Sequence, residues 1–121
     1  MTALQALHSF WGGFSLPVFD ENTVPDKTAF PYITYEASRD FFGATLAQSA
    51  SLWYYSKSWA EITEKEEQIA QYIGRGGKMV VYDNGAFWIR MGQPWAQRLP
   101  DASDDMVRRI ALNIEIEFVE E

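Results

Sequence analysis

Arg109-Ile110-Ala111-Leu112-Asn113-Ile114-Glu115-Ile116-Glu117-Phe118 decides the architecture. Its apolar side chains, Ile110, Leu112, Ile114, Ile116 and Phe118, fall on every second residue, with Arg109, Ala111, Asn113, Glu115 and Glu117 between them. A period of two sends successive side chains to opposite faces of a pleated chain, so the stretch predicts a long strand with one buried face. One-sided burial is the habit of antiparallel sheets.

Upstream, Lys78–Tyr82 and Ala86–Met91 flank Asn84-Gly85, the favoured two-residue type I′ turn, and predict a hairpin. Pro94 and Pro100 bracket a loop before the final strand. Tyr32–Glu36 is rich in strand formers, and Ala44–Ser56 lacks Gly and Pro and ends Leu52-Trp53-Tyr54-Tyr55, so both read as strands, with ASRDFFG at 37–43 as a turn between them. Ser58-Trp59-Ala60-Glu61 has the form of a capping box. The helix it opens carries a stripe of Trp59, Ile62, Ile69, Tyr72 and Ile73, broken at Glu66, an i,i+4 pair Glu61/Lys65 on its wet side, and Gly74 as its stop. A shorter helix starts at Thr2, with Gln5 completing a capping box, puts Leu4, Leu7, His8 and Trp11 on one face, and ends at Gly12-Gly13. Between this helix and the first strand, residues 14–31 hold Pro17, Pro25 and Pro31, which forbid a regular helix. They read as an ordered extended loop anchored by Phe14, Leu16, Val18, Phe19 and Phe30. The expected fold is one α+β domain over 1–121 in the order α-β-β-α-β-β-β, with two helices on a mostly antiparallel sheet of four to five strands.

Composition excludes several classes of function. The chain has 121 residues and a net charge of -7, which argues against binding nucleic acid by neutralising phosphates. A chain of this length hides roughly two thirds of its unfolded surface, enough for a core without staples. It has no cysteine, hence no disulfide, no thiolate zinc site and no thiol chemistry. No apolar run approaches the roughly 20 residues of a membrane span. MTALQALHSFWGG at the start has no basic leader or small-residue cleavage site, so no secretory signal is expected.

Candidate chemistry is sparse. His8 is the single histidine and sits at the edge of an apolar helical stripe, as a boundary histidine does. With no second histidine, a transition-metal site is poorly supplied. Gly74-Arg75-Gly76-Gly77-Lys78 has the look of a phosphate loop, but Tyr72 stands where a glycine is needed and Met79 replaces the Ser or Thr. It also follows a helix and enters a strand, the reverse of the context that aims free N–H groups at an anion. The acidic groups at Asp20-Glu21, Glu64–Glu67 and Asp101 with Asp104-Asp105 match no calcium loop. No catalytic residue, cofactor or metal is expected.

The aromatic residues carry the signal: five tryptophans, six tyrosines and eight phenylalanines. Along the strands, Trp53 and Tyr55 oppose Leu52 and Tyr54, Trp88 opposes Phe87 and Ile89, and Met79 with Val81 opposes Val80 with Tyr82. Several strands are therefore apolar on both faces, and two helices cover about one. Either the loops at 14–31 and 92–105 cover the other face, or a partner subunit does.

Three stretches carry a family resemblance: Phe30–Glu36, the block SLWYYSKSWAEITEKEEQIAQYIGRGG at 51–77, and the tail MGQPWAQRLPDASDDMVRRIALNIEIEFVEE at 91–121. Together, over nearly the whole chain, they resemble tail terminator (tail completion) proteins of long, non-contractile-tailed bacteriophages and their prophages. The resemblance implies a non-enzymatic α+β subunit of a ring, a hexamer, on the last ring of the tail tube at the head-proximal end of the virion. It implies assembly in the bacterial host cytoplasm, contacts with the major tail tube protein and the head-tail connector protein, no membrane, and DNA passing without specific binding. A ring needs two different patches per subunit. The candidates are Phe19, Phe30, Trp53, Tyr55, Trp88, Arg90, Trp95, Arg98, Asp104, Asp105 and Arg109. Arg90, Arg98, Arg108 and Arg109 lie near Asp101, Asp104 and Asp105 in sequence, and are expected to pair between subunits and set ring register. Two other readings stand beside this one: a head-completion or stopper protein at the neck, and a small hydrolase or ligand-binding domain using His8, Asp104 and Asp105.

Overall fold

The computed structural model describes residues 1–39 and 43–120. In chain order the elements are α1 (Ala3–Gly12), β1 (Val18–Asp20), β2 (Tyr32–Tyr35), β3 (Thr45–Tyr55), α2 (Ala60–Ile73), β4 (Lys78–Tyr82), β5 (Gly85–Leu99) and β6 (Val107–Glu120). The strands form one six-stranded sheet in the order β1-β2-β3-β6-β5-β4. The β1–β2 pair is parallel and every other pair antiparallel.

The long alternating stretch is β6, between β3 and β5. Ile110, Leu112, Ile114, Ile116 and Phe118 are all buried. Leu52 and Ala50 of β3 lie beside Ile110 and Leu112, and Ile89 and Phe87 of β5 beside Ile116 and Phe118. Leu7, Phe10 and Trp11 of α1 and Ile62, Ile69 and Ile73 of α2 complete the same core. Side chains of this kind contribute about 1.5–3 kcal/mol each when fully buried, so the helices are bound to one sheet face by apolar burial.

Six strands replace the expected four to five because the stretch at 14–31 contains β1. Ile33 N–H donates to Pro17 C=O, and Glu21 N–H to Tyr35 C=O, each at 2.9 Å. Three residues are too few for a period to show in sequence. The expected loop after Met91 is also strand: β5 runs on to Leu99, with its register shifted between Met91 and Ala96. A bulge leaves residues outside the ladder, where a proline's missing N–H costs nothing. Asn113 Nδ2 spans the bulge, donating to Pro94 C=O at 2.7 Å.

The hairpin turn is shifted by one residue. Tyr82 pairs with Gly85, so the loop is Asp83-Asn84, and neither residue has the positive φ of a type I′ turn. Asp83 is held from outside: its N–H donates to Met1 C=O at 3.1 Å, and its carboxylate meets the Met1 ammonium.

Both helices differ from expectation in detail. The Thr2/Gln5 capping box forms. The buried face of α1 is Ala3, Ala6, Leu7, Phe10 and Trp11, which leaves Leu4 and His8 exposed. In α2, Ser58 Oγ accepts from Ala60 N–H at 3.0 Å, so the helix begins beyond it and the Ser58/Glu61 box does not form. Lys65 ignores Glu61 and donates to Phe14 C=O at 2.8 Å and Gln68 Oε1 at 2.9 Å, tying α2 to the end of α1. Tyr72 is half exposed. Glu66 breaks the apolar stripe because it accepts from Trp95 Nε1 at 3.0 Å. The expected turn at 37–43 falls in part outside the described residues.

Candidate assembly interface

Strand alternation gives the sheet a second face, turned away from both helices. Phe19 of β1, Tyr32 and Thr34 of β2, Ser51, Trp53 and Tyr55 of β3, and Arg109 of β6 stand on it, in register across the strands. Trp88 and Arg90 of β5 and Met79 and Val81 of β4 continue it to the far edge.

One end of this open face is an aromatic ledge. Tyr32 and Trp53 stack with centroids 6.0 Å apart and planes 17° from parallel. Phe19 meets Tyr32 at 6.0 Å, and Phe30 meets Tyr32 at 5.3 Å and Tyr55 at 5.6 Å. The ledge is wet although apolar: Tyr55 is 51% exposed and Phe30 37%. Trp53 is fixed in orientation by donating from Nε1 to Thr34 Oγ1 at 2.9 Å. The Arg109 guanidinium lies 4.6 Å from the Trp53 centroid, and its Nε donates to Ser51 Oγ at 3.1 Å. A surface that is flat, aromatic and held by cross-strand partners keeps its shape before anything binds.

The charge of Asp104 and a hydrogen bond to it raise the Tyr55 hydroxyl above its ordinary pKa. This places Asp104 at the ledge. Asp101 folds its own loop, accepting from Ser103 N–H at 2.8 Å and Ser103 Oγ at 2.6 Å. These bonds, the side-chain one first, lower its pKa.

Of the expected interface residues, the structure gathers Phe19, Phe30, Trp53, Tyr55, Asp104 and Arg109 at one end of the open face. Trp88 and Arg90 lie farther along it, where Trp88 Nε1 donates to Gly76 C=O at 2.8 Å. Trp95 and Arg98 are on the opposite, helix-covered face. Trp95 is bound to Glu66, and Arg98 stacks on Trp59 at 4.6 Å and reaches Thr63. Asp105 gives its carbonyl to Arg108. The 14–31 stretch covers part of the ledge through Phe30, whereas 92–99 lies in the sheet and covers neither face.

Within the subunit, no ion pair joins Arg90, Arg98, Arg108 or Arg109 to Asp101, Asp104 or Asp105, and Arg108 meets Asp105 only at its carbonyl. Arg90 pairs with Glu115 at 3.5 Å and Glu117 at 3.3 Å, across one strand. Arg98 and Arg108 sit over the same Trp59 ring, the latter at 5.2 Å, and Arg109 sits over Trp53. Sequence reasoning passed over Tyr32, the centre of the ledge, and Trp59, the arginine platform. Tyr32 was legible from its alternation with the buried Ile33. Trp59 offered no such signal, because its arginines arrive from β5 and β6.

The residues of the hydrolase reading are divided. His8 Nδ1 lies 2.9 Å from Tyr35 Oη on the helix side, and Asp104 meets Tyr55 at the open face. Among the described residues, no group of three His, Asp or Glu is placed to hold a metal ion. No helix among them is long and apolar enough to cross a membrane.

The fold defines a class: an α+β protein with two helices on one face of a six-stranded mixed sheet and the other face open. Among solved structures, a chain from "Virion of native gene transfer agent (GTA) particle" is similar to it. The TM-score is 0.61 and the identity 16%, over 98% of this chain and 85% of that one. At that identity the likeness is one of fold. No protein-family model and no curated protein matches the sequence.

Proposed function

We propose that this is a structural virion protein that caps a phage tail tube as a ring, ends tube polymerisation and joins the tail to the head. The observation that carries the reading is the fold likeness to a virion chain, over 98% of this sequence. The open face supports it, since a ring subunit must offer two different patches that close by rotation. The aromatic ledge at the β1–β2–β3 end and the apolar edge at β4 are two such patches on one sheet. In this reading the copies form a hexamer, one ring surface meets the major tail tube protein and the other the head-tail connector protein. The net charge of -7 lets DNA pass without being trapped. Subunit chemistry is contact, not catalysis. Arg109 and Asp104 are the charged groups offered to neighbours at the ledge.

The likeness names a particle and not a place in it, so a stopper at the neck is the second reading. Purified protein mixed with tail tubes separates the two. Negative-stain images with rings on tube ends support the terminator. Bare tube ends beside protein bound to heads support the neck, and binding to neither removes both.

A further inference from the structure

We infer that the outer edge of β4 is a strand-addition site that receives an extended polypeptide segment, apolar at alternate positions and acidic at one end. The Tyr82–Gly85 pair closes a two-residue hairpin, so Tyr82, Val80 and Lys78 spend their backbone groups on β5. The backbone N–H and C=O of Met79 and Val81 then point outward, and β4 is the last strand of the sheet. Between Lys78 at its start and Asp83, whose N–H is taken by Met1 C=O, the edge at Met79 and Val81 holds no proline and no register shift. Its open-face side chains are apolar and exposed, Met79 at 44% and Val81 at 73%. The opposite edge differs. There β1 has three residues, Pro17 precedes it, and Asp20 C=O already accepts from Thr23 N–H at 2.9 Å.

The occupant follows from the groups left unpaired. Two donors and two acceptors at strand spacing are matched by another extended backbone and by little else. Side chains on its inner face would enter a groove of about 450 Å³ beside the strand, between α1 and the end of α2, lined by Phe10, Phe14, Tyr72 and Val80. The lining side chains are all uncharged, in a chain with 22% charged residues, and the one charge beside them is the Met1 ammonium, already paired with Asp83. Those on the outer face would lie beside Met79 and Val81. At the start of β4, Lys78 stands 4.4 Å from the Tyr72 ring, with Arg75 three residues before it, and these favour a carboxylate at that end of the segment. An extended segment fits here wherever in the virion the protein sits.

The test uses the whole protein and a synthetic eight-residue peptide alternating valine and threonine with a glutamate at one end. It is read by amide shifts and amide hydrogen exchange. Saturable binding that slows exchange at Met79 and Val81, and leaves Tyr32 and Trp53 unmoved, is the expected result. Val81→Pro removes a donor the subunit does not use, and Val81→Asp keeps that donor but sets a charge among the apolar side chains. Each is expected to weaken binding by about tenfold or more while thermal unfolding stays near that of the parent. Binding elsewhere, no binding, or binding that survives both variants overturns the site. So does protection of Met79 and Val81 in the free protein by pairing of two β4 edges. Because no tubes are used, failure here is separate from failure to cap tubes.

Discussion

Arg109 holds its guanidinium 4.6 Å from the Trp53 ring centroid while its Nε bonds Ser51, so a cation from β6 is spread over the aromatic ledge of β3. At a half-exposed site such a contact stabilises by about 0.5–1 kcal/mol. Arg109→Met should therefore cost the isolated subunit no more than about 1 kcal/mol in a urea melt. Its loss of assembly should be far larger, because the ledge would lose the charge that faces a neighbour. Equal small effects on folding and on assembly would show that the pair serves only the subunit.

Trp95→Phe should cost more than the Arg109 change, about 1.5–3 kcal/mol, because it leaves the Glu66 carboxylate partly buried without its donor. Glu66→Leu in the same background should recover much of that loss. Chemical unfolding of the two single variants and the double variant measures this directly. Additive losses would deny the pairing.

Gly77 and Gly76 should respond unequally to alanine. Gly77 has φ +90°, and a Cβ there would stand 2.5 Å from Trp88 Nε1 and 2.7 Å from Ile89 C=O. The left-handed backbone alone costs about 1–3 kcal/mol, and the contact with β5 adds to it. At Gly76 a Cβ meets nothing within 4 Å, so Gly76→Ala should stay within about 0.5 kcal/mol. Thermal melts of the two variants decide it. The same glycines first suggest a phosphate loop in the sequence; the structure uses Gly77 for close packing of the loop against the next strand.

Alkaline pH should destabilise the fold. Burial raises the pKa of Tyr32, Tyr35 and Tyr54 above 10.0, with Asp20 adding at Tyr35 and Glu61 and Glu64 at Tyr54, and Asp104 raises Tyr55. In that window the folded chain keeps protons that the unfolded chain has lost. The stability these groups contribute is full below pH 10 and falls as pH rises through the raised values. Urea midpoints should drop as pH rises above about 10, with tyrosinate absorbance appearing late. A flat midpoint over that rise would contradict the burial of the Tyr32, Tyr35 and Tyr54 hydroxyls.

The legible parts of the fold were those with a long period. The alternation at 109–118 placed the central strand, and the stripe Ile62, Ile69, Ile73 placed the main helix. Elements governed by tertiary partners were not legible. β1 is three residues held by Pro17 C=O and Tyr35 C=O, and the far half of β5 depends on a bulge that Asn113 bridges. The buried face of α1 differs from the expected stripe because Ala6 and Phe10 enter the core, while Leu4 is exposed and His8 reaches the sheet only at its edge, through Tyr35. At the interface, alternation sets Trp53 and Tyr55 apart from Leu52 and Tyr54, whereas Phe19, expected in a loop, joins them because β1 forms. Arg98 stands on the helix side because the register shift between Met91 and Ala96 sets it opposite Ile110, and Trp95 reaches Glu66 on that side.

Hydroxyl-radical footprinting of Tyr32, Trp53 and Tyr55, in free subunits and in assembled particles, tests the proposal that the open face is what the assembly covers. The three rings should be oxidised readily in the free protein and protected several-fold in the particle, while the exposed Leu4 on α1 reacts equally in both. Equal oxidation of all three rings in the two states would contradict it.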